Sequence, residues 1–176
     1  VGEREGSAPA GPPRDARGPA RVRGNPSTGL MGVLLAQAAR GGGAQVRLLH
    51  GPLQLESGLL EGLNSERFGT AAELEQLLER HQASAAAVVM AAAVADQRLQ
   101  QPLSGKLSKQ ELQEVLHSPA SWEMVPDLLH QMVQRRSADQ VLMGFAAHSG
   151  DVLTQAEAKF QRKGCYLLFA KPIDQP

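Results

Sequence analysis

Ala86-Ala87-Val88-Val89-Met90-Ala91-Ala92-Ala93-Val94-Ala95, followed by Asp96, is the stretch on which the fold turns. It is apolar at odd and even positions alike, so both faces of a strand here must be covered. That is the condition of a central parallel strand with helices on each side. The apolar-rich run from residue 83 to 95 is too short to span a bilayer and is rich in alanine rather than leucine, so no membrane role is expected. Asp96 stands just past the carboxyl end of this strand, where open α/β sheets bind their ligands.

Outward from the strand, residues 70–81 carry Leu74, Leu77 and Leu78 on one helical face, with Thr70 and Glu73 spaced as a capping box. Residues 29–40 set Met31, Leu34, Leu35 and Ala38 at helical spacing behind the cap candidates Ser27 and Thr28, and Gly41-Gly42-Gly43 stops that helix. Residues 45–50 alternate around Val46 and Leu48 like a strand that Gly51-Pro52 ends. Downstream, 97–108 reads as a polar loop, 109–117 and 122–135 as helices, 141–147 as a strand, 151–162 as a helix and 165–170 as a last strand. Trp122 and Met124 read as core, and Cys165 as a buried small hydrophobe. The alternation predicts an α/β fold: a doubly wound, Rossmann-like, mostly parallel sheet with helices on both faces. Residues 1–26 are Gly/Pro/Arg-rich, too poor in large apolar groups to order alone, and are expected to be a loop, a tail or a ligand-held segment before a single domain over 27–176.

The chain has 176 residues, about one domain's worth, and is 42% hydrophobic, enough to close one core. Its 18 lysines and arginines balance 18 aspartates and glutamates, so no global field draws nucleic acid or an anionic membrane, and any anion site must be local. The single cysteine excludes an intrachain disulfide, and no apolar signal-peptide run opens the sequence, which points to the cytoplasm. His50, His81, His117, His130 and His148 lack metal-ligand spacing, so no protein-bound metal cage is expected.

Asn25-Pro26-Ser27-Thr28-Gly29-Leu30-Met31-Gly32 puts small and hydroxyl residues at a helix amino end, where free amides and the helix dipole favour a phosphate. Taken alone, these residues read first as an ordinary N-cap with glycines for close packing. The segment has neither the lysine of a P-loop nor the spacing of a dinucleotide fingerprint. Lys106 and Lys109 lie in the Gly-flanked stretch Ser104-Gly105-Lys106-Leu107-Ser108-Lys109, suited to a lysine that closes over a phosphate, although most such lysines only meet solvent. Arg14, Arg17, Arg21 and Arg23 either wrap a polyanion or are solvated.

Taken together and in order, these segments resemble one family, phosphopantothenate-cysteine ligase, the carboxyl-terminal half of the bifunctional bacterial flavoprotein of coenzyme A synthesis. Ala10-Gly11-Pro12 with Arg14 and Asp15, then Pro19 and Arg21, then Asn25, Ser27, Gly29, Met31 and Gly32 follow the family's opening pattern. Ala91-Ala92-Ala93-Val94-Ala95-Asp96 matches its most characteristic string, and Lys106 follows at the spacing of its K-x-K-K stretch. Gly144-Phe145-Ala146-Ala147 matches its G-F-A-A, and Lys159 with Lys163-Gly164 its A-x-x-K-x-x-x-K-G.

The resemblance implies a CTP-dependent ligase that joins L-cysteine to 4'-phosphopantothenate through an acyl-cytidylate. By it, Asn25 and Lys106 would be catalytic. Gly11, Ser27, Thr28, Gly29, Ala93, Asp96, Lys109, Phe145 and Lys163 would bind nucleotide, and Arg21, Asn25 and Met31 the pantothenate substrate. It implies Mg2+ arriving with CTP, a homodimer, and a decarboxylase domain or protein as partner. Nothing here resembles the flavin-binding half, so no FMN site is expected. The sequence also departs from the family. Gly18, Leu30, Ser108 and His148 replace its usual residues, and Lys171-Pro172 stands where it has Asn-Asp. The run from Glu3 to Pro9 is too polar and Pro-broken for the family's central first strand, which predicts a sheet short of that strand. These departures leave a second expectation, a non-catalytic domain of the same fold that binds nucleotide or dimerises.

Overall fold

A computed structural model describes residues 5–10, 15–16, 22–23, 27–53, 57–100, 108–148 and 150–172. Along them run β1 (Glu5–Ala10), β2 (Asp15–Ala16), β3 (Val22–Arg23), α1 (Leu30–Gly41), β4 (Val46–His50), β5 (Asn64–Arg67), α2 (Ala71–His81) and β6 (Ala85–Met90). The second half holds β7 (Gln97–Leu99), α3 (Lys109–His117), β8 (Trp122–Met124), α4 (Leu128–Arg135), β9 (Val141–His148), α5 (Val152–Lys163) and β10 (Leu167–Pro172). Six strands form one sheet in the order β10-β9-β6-β1-β4-β5, and every neighbouring pair is parallel. The first three of these strands in the chain lie to one side and the last three to the other. This is the doubly wound arrangement, and it reverses direction between β1 and β6.

Both faces of the sheet are covered, as the apolar run of β6 demands. On one face Leu49, Val88, Met90 and Leu142 pack with Phe68, with Leu74, Leu77 and Leu78 of α2 and with Leu128, Leu129 and Met132 of α4. On the other, Leu48 and the half-buried Val46 and Val89 meet Val33 and Ala36 of α1. Leu48 and Leu49 are consecutive and both wholly buried, so β4 does not alternate between core and solvent as its sequence suggests. Each such side chain contributes roughly 1.5–3 kcal/mol from burial, and the two lie in separate clusters on opposite faces. Cys165 is buried, as expected. Among the described residues no helix is long and apolar enough to cross a membrane.

The largest departure from expectation is β1. It is central, pairing with β4 from Gly6↔Val46 to Ala10↔His50 and with β6 from Glu5↔Ala85 to Ser7↔Val88. The pairing with β6 ends before Pro9, so the proline, which lacks an N–H, sits where the strand has β4 alone as a neighbour. Residues expected to form a loop, a tail or a ligand-held segment thus supply the middle of the sheet, and the short β2–β3 ribbon follows, Asp15 opposite Arg23.

Three smaller corrections come from local chemistry. The apolar run leaves the sheet at Met90 rather than Ala95, because β9 pairs with β6 only as far as Met90↔Gly144. Residues 97–108 are not all loop, and 122–135 are not all helix. β7 and β8, with α3 between them in the chain, pair as a two-stranded antiparallel ribbon, Gln97↔Met124 to Leu99↔Trp122, and α4 starts only at Leu128. Met124 is therefore exposed rather than core, and Trp122 is half-buried, its indole N–H donating to the Val115 carbonyl at 3.2 Å. Thr70 does cap α2, accepting the Glu73 N–H, but the Glu73 carboxylate accepts from Gly69 instead of Thr70, so the reciprocal box is displaced by one residue. The complete box is on α3, between Ser108 and Glu111.

Candidate functional site

The carboxyl ends of β1 and β6 lie side by side where the strand order reverses, the crevice in which doubly wound sheets hold ligands. The chain leaving β6 runs from Ala91 to Asp96 before it enters the β7–β8 ribbon, whose base is tied by the Val125 N–H donating to the Asp96 carbonyl at 2.9 Å. An ion pair between Arg98 and Glu123 braces the same ribbon. Here opens a cavity of about 440 Å³ lined by Met90, Ala92 and Val94–Asp96, by Met124–Leu129, by Phe145, and by Lys159, Arg162 and Lys163 of α5. Its apolar floor and convergent charges fit the usual pattern of a small-molecule site.

Asp127 organises the far wall. One carboxylate oxygen accepts the His130 N–H and so caps α4, while the other meets the Lys163 ammonium. Burial pushes the Asp127 carboxyl up, but the bond from Lys163, the His130 amide and the charge of Lys163 together hold it below its usual value. Lys163 is thus engaged by an acid of its own chain. Lys159, one helical turn earlier, has no ion pair among the described residues. Burial, then the neighbouring charges of Lys163 and Arg162, push its ammonium below the usual lysine range, against the pull of Asp127 and Asp96. A half-buried cation with no direct ion pair among the described residues is the group here best placed to gain from an anionic ligand.

Phe145 stacks on Phe169 of β10 with ring centroids 5.0 Å apart and 20° between planes. α1 begins after Gly29, which is buried and in the left-handed region at φ 79°. Neither expected hydroxyl caps this helix. Ser27 Oγ accepts from Gly29 N–H at 3.4 Å and Thr28 Oγ1 from Leu30 N–H at 3.3 Å, so both close local turns, and the N-cap Gly29 brings no side chain to the amides that follow Leu30. Met31 is half exposed beside them.

Of the residues singled out by sequence, Asp96, Phe145 and Lys163 share one cavity. Ser27, Thr28, Gly29 and Met31 gather at the start of α1, and Lys109 is the exposed first residue of α3. Ala93 lies in the β6–β7 connection between the cavity-lining Ala92 and Val94. Gly11, Arg21, Asn25 and Lys106 lie outside the described residues. Sequence reasoning missed Asp127, Lys159 and Arg162 as site residues. Pro126-Asp127 ahead of Leu128-Leu129 is an N-cap signal that could have exposed the first, and the K-x-x-x-K spacing contained the second.

The model of the DNA/pantothenate metabolism flavoprotein C-terminal domain matches residues 8–176. The chain is 34% identical over 179 residues to the coenzyme A biosynthesis bifunctional protein CoaBC of Mycolicibacterium smegmatis, covering 94% of this chain and 41% of that protein. It therefore spans less than half the length of this relative. Among solved structures, the C-terminal domain of CoaBC superposes with a TM-score of 0.76 at 25% identity, over 96% of this chain and 76% of the other. A Cab2 variant solved with phosphopantothenate-cysteine gives 0.75 at 14% identity, over 97% and 73%, a likeness of fold alone. With this fold, this cavity and a match over nearly its whole length, the chain belongs to the family of the DNA/pantothenate metabolism flavoprotein C-terminal domain.

Proposed function

We propose that the chain is a phosphopantothenate-cysteine ligase of coenzyme A biosynthesis that uses CTP and works in the cytoplasm as a homodimer, alongside a decarboxylase domain or protein. A carboxylate is a poor acyl donor, so the acid must first be activated. The carboxylate oxygen of 4'-phosphopantothenate attacks the α-phosphorus of CTP and pyrophosphate leaves. The amine of L-cysteine then attacks the acyl carbon of the acyl-cytidylate, loses a proton and expels CMP as the amide forms.

The observation that carries this reading is the cavity beyond β6, which joins Asp96 and Phe145 to the basic end of α5 in a chain of this family. In our reading the nucleotide lies there. Lys159 and Lys163 offset its negative charge, and the helix start at Ser27 to Gly29, where the N-cap glycine supplies no side-chain cap, offers its dipole and the amides after Leu30 to phosphate. Asn25 would hold the carboxylate and then the acyl-cytidylate, with Arg21 and Met31 toward the pantothenate, and Lys106 and Lys109 would close over the phosphates. Among the described residues there is no group of three or more His, Cys, Asp or Glu able to hold a metal ion. The protein side chains there do not make a magnesium cage, and Mg2+ belongs in this reading to the triphosphate. The competing reading of a non-catalytic domain drew support from a missing first strand, and β1 removes that support.

Incubation with 4'-phosphopantothenate, Mg2+ and either CTP or ATP, without cysteine, tests the proposal by pyrophosphate release and mass spectrometry of any acyl-nucleotide. Release with CTP that is lost in Asn25→Ala and stalls in Lys106→Ala is the expected result. A folded chain that releases nothing with either nucleotide would overturn it.

A further inference from the structure

We propose that Gly144 is a positioning residue for the cavity beyond β6: its bare backbone lets Leu129 of α4 lie directly on β9, and this contact sets the distance from the strand to the cavity-lining first turn of α4. The inference rests on the nucleotide reading of that cavity.

A glycine in the middle of a buried strand is unfavourable unless something requires it. Gly144 pairs with Met90 on one side and Leu168 on the other, so its backbone is fully enclosed in the sheet. Its φ is not positive, so conformation does not call for glycine here. Space does. A Cβ at this position would stand 2.6 Å from Leu129 Cδ2 and 3.2 Å from Leu168 Cδ1, the first well inside van der Waals contact. The obstructing atom is a side-chain terminus, which in an open site would swing aside at small cost. Leu129, however, is buried in the main core cluster and also lines the cavity. A methyl at 144 therefore either lifts the start of α4 or turns Leu129 into the space a ligand would use. The first response moves the wall that carries Asp127, and with Asp127 its partner Lys163, while the second narrows the cavity itself.

Dissociation constants for CTP and for ATP, measured by calorimetry on the whole chain, test this in the native protein, Gly144→Ala, Leu129→Ala and the double variant. Overpacking of this size predicts that Gly144→Ala weakens CTP binding by about tenfold or more. The double variant should recover to within about threefold of the native value, a rescue that general loss of stability would not produce. Melting curves on the same samples identify a variant that fails to fold. Should Gly144→Ala do so, the double variant against Leu129→Ala carries the comparison. Native protein that binds CTP while Gly144→Ala binds equally well, or a double variant no better than Gly144→Ala, overturns the positioning role alone. Native protein that binds neither nucleotide overturns the nucleotide reading and this inference with it.

Discussion

β1 and β6 are neighbours at the middle of one sheet, yet they are built from opposite materials. β6 is Ala-Ala-Ala-Val-Val-Met and packs its side chains into both core clusters, Val88 on one face and Val89 on the other. β1 is Glu-Gly-Ser-Ala-Pro-Ala, with no large apolar group to offer. The difference separates two ways of being central. β6 is held by what its side chains bury, whereas β1 is held by backbone hydrogen bonds to a strand on each side, and its composition hides its place.

The sharpest break of this contrast is Val88→Asp. Val88 is 1% exposed, and an unpaired carboxylate there should destabilise by more than about 4 kcal/mol, abolishing the cooperative urea transition. In β1 the sensitive atom is an amide. Ser7 stands between Arg47 of β4 and Val88 of β6, so Ser7→Pro should cost about 3 kcal/mol in urea melts, whereas Pro9→Ala, beyond the pairing with β6, should change stability by less than about 1 kcal/mol. Equal effects of the two would refute the backbone account of β1.

A fourth substitution probes how β6 begins. Gln140 donates to the carbonyls of Gln82 and Ala85, each at 2.6 Å, and accepts from the Gln82 amide at 3.1 Å, all within the buried core. Gln140→Leu removes these partners from buried groups and should lower stability by about 2 kcal/mol, read from the urea midpoint at unchanged slope.

The smallest effect concerns pH. The Asp127 carboxyl is held below its usual value in the folded chain, so its tie to Lys163 contributes fully above the unfolded carboxylate pKa of about 3.9 and is lost as pH falls through the lower folded value. Asp127→Asn should therefore flatten the acid limb of a plot of Tm against pH between about 5 and 2. Glu66, lowered in the same direction by Arg47 and His81 despite the opposing effect of burial, should leave a residual slope. An unchanged acid limb would show that the pair adds nothing.

What could be read in advance follows from side-chain periodicity. The covered faces of β6, the helical stripe of Leu74, Leu77 and Leu78, and the β9 string around Gly144 and Phe145 all announce themselves, and they fix the doubly wound sheet. β1 does not, because its pairing is made by the backbone. Nor does the end of β6, because Ala92, Val94 and Ala95 remain apolar as cavity wall after they leave the sheet. The β7–β8 ribbon escaped because each strand has three residues, and because Trp122 to Met124 merged with the helical pattern of α4. In the site, Asp96, Phe145 and Lys163 were legible as motif members. Asp127 was not, since its role depends on α4 and α5 meeting in space.

Trp122, the single tryptophan of the chain, gives the β7–β8 ribbon an optical identity of its own. The indole sits on β8, hydrogen-bonded to a carbonyl of α3, a helix with no buried residue, and it lies apart from the sheet core. Its emission therefore follows the short β7–β8 arm, whose partner strand begins directly after Asp96, while far-ultraviolet circular dichroism follows the helices and the six-stranded sheet. If the arm opens before the core, the two signals will melt at different temperatures, and the gap between them will measure how loosely the cavity's entrance is attached to its floor.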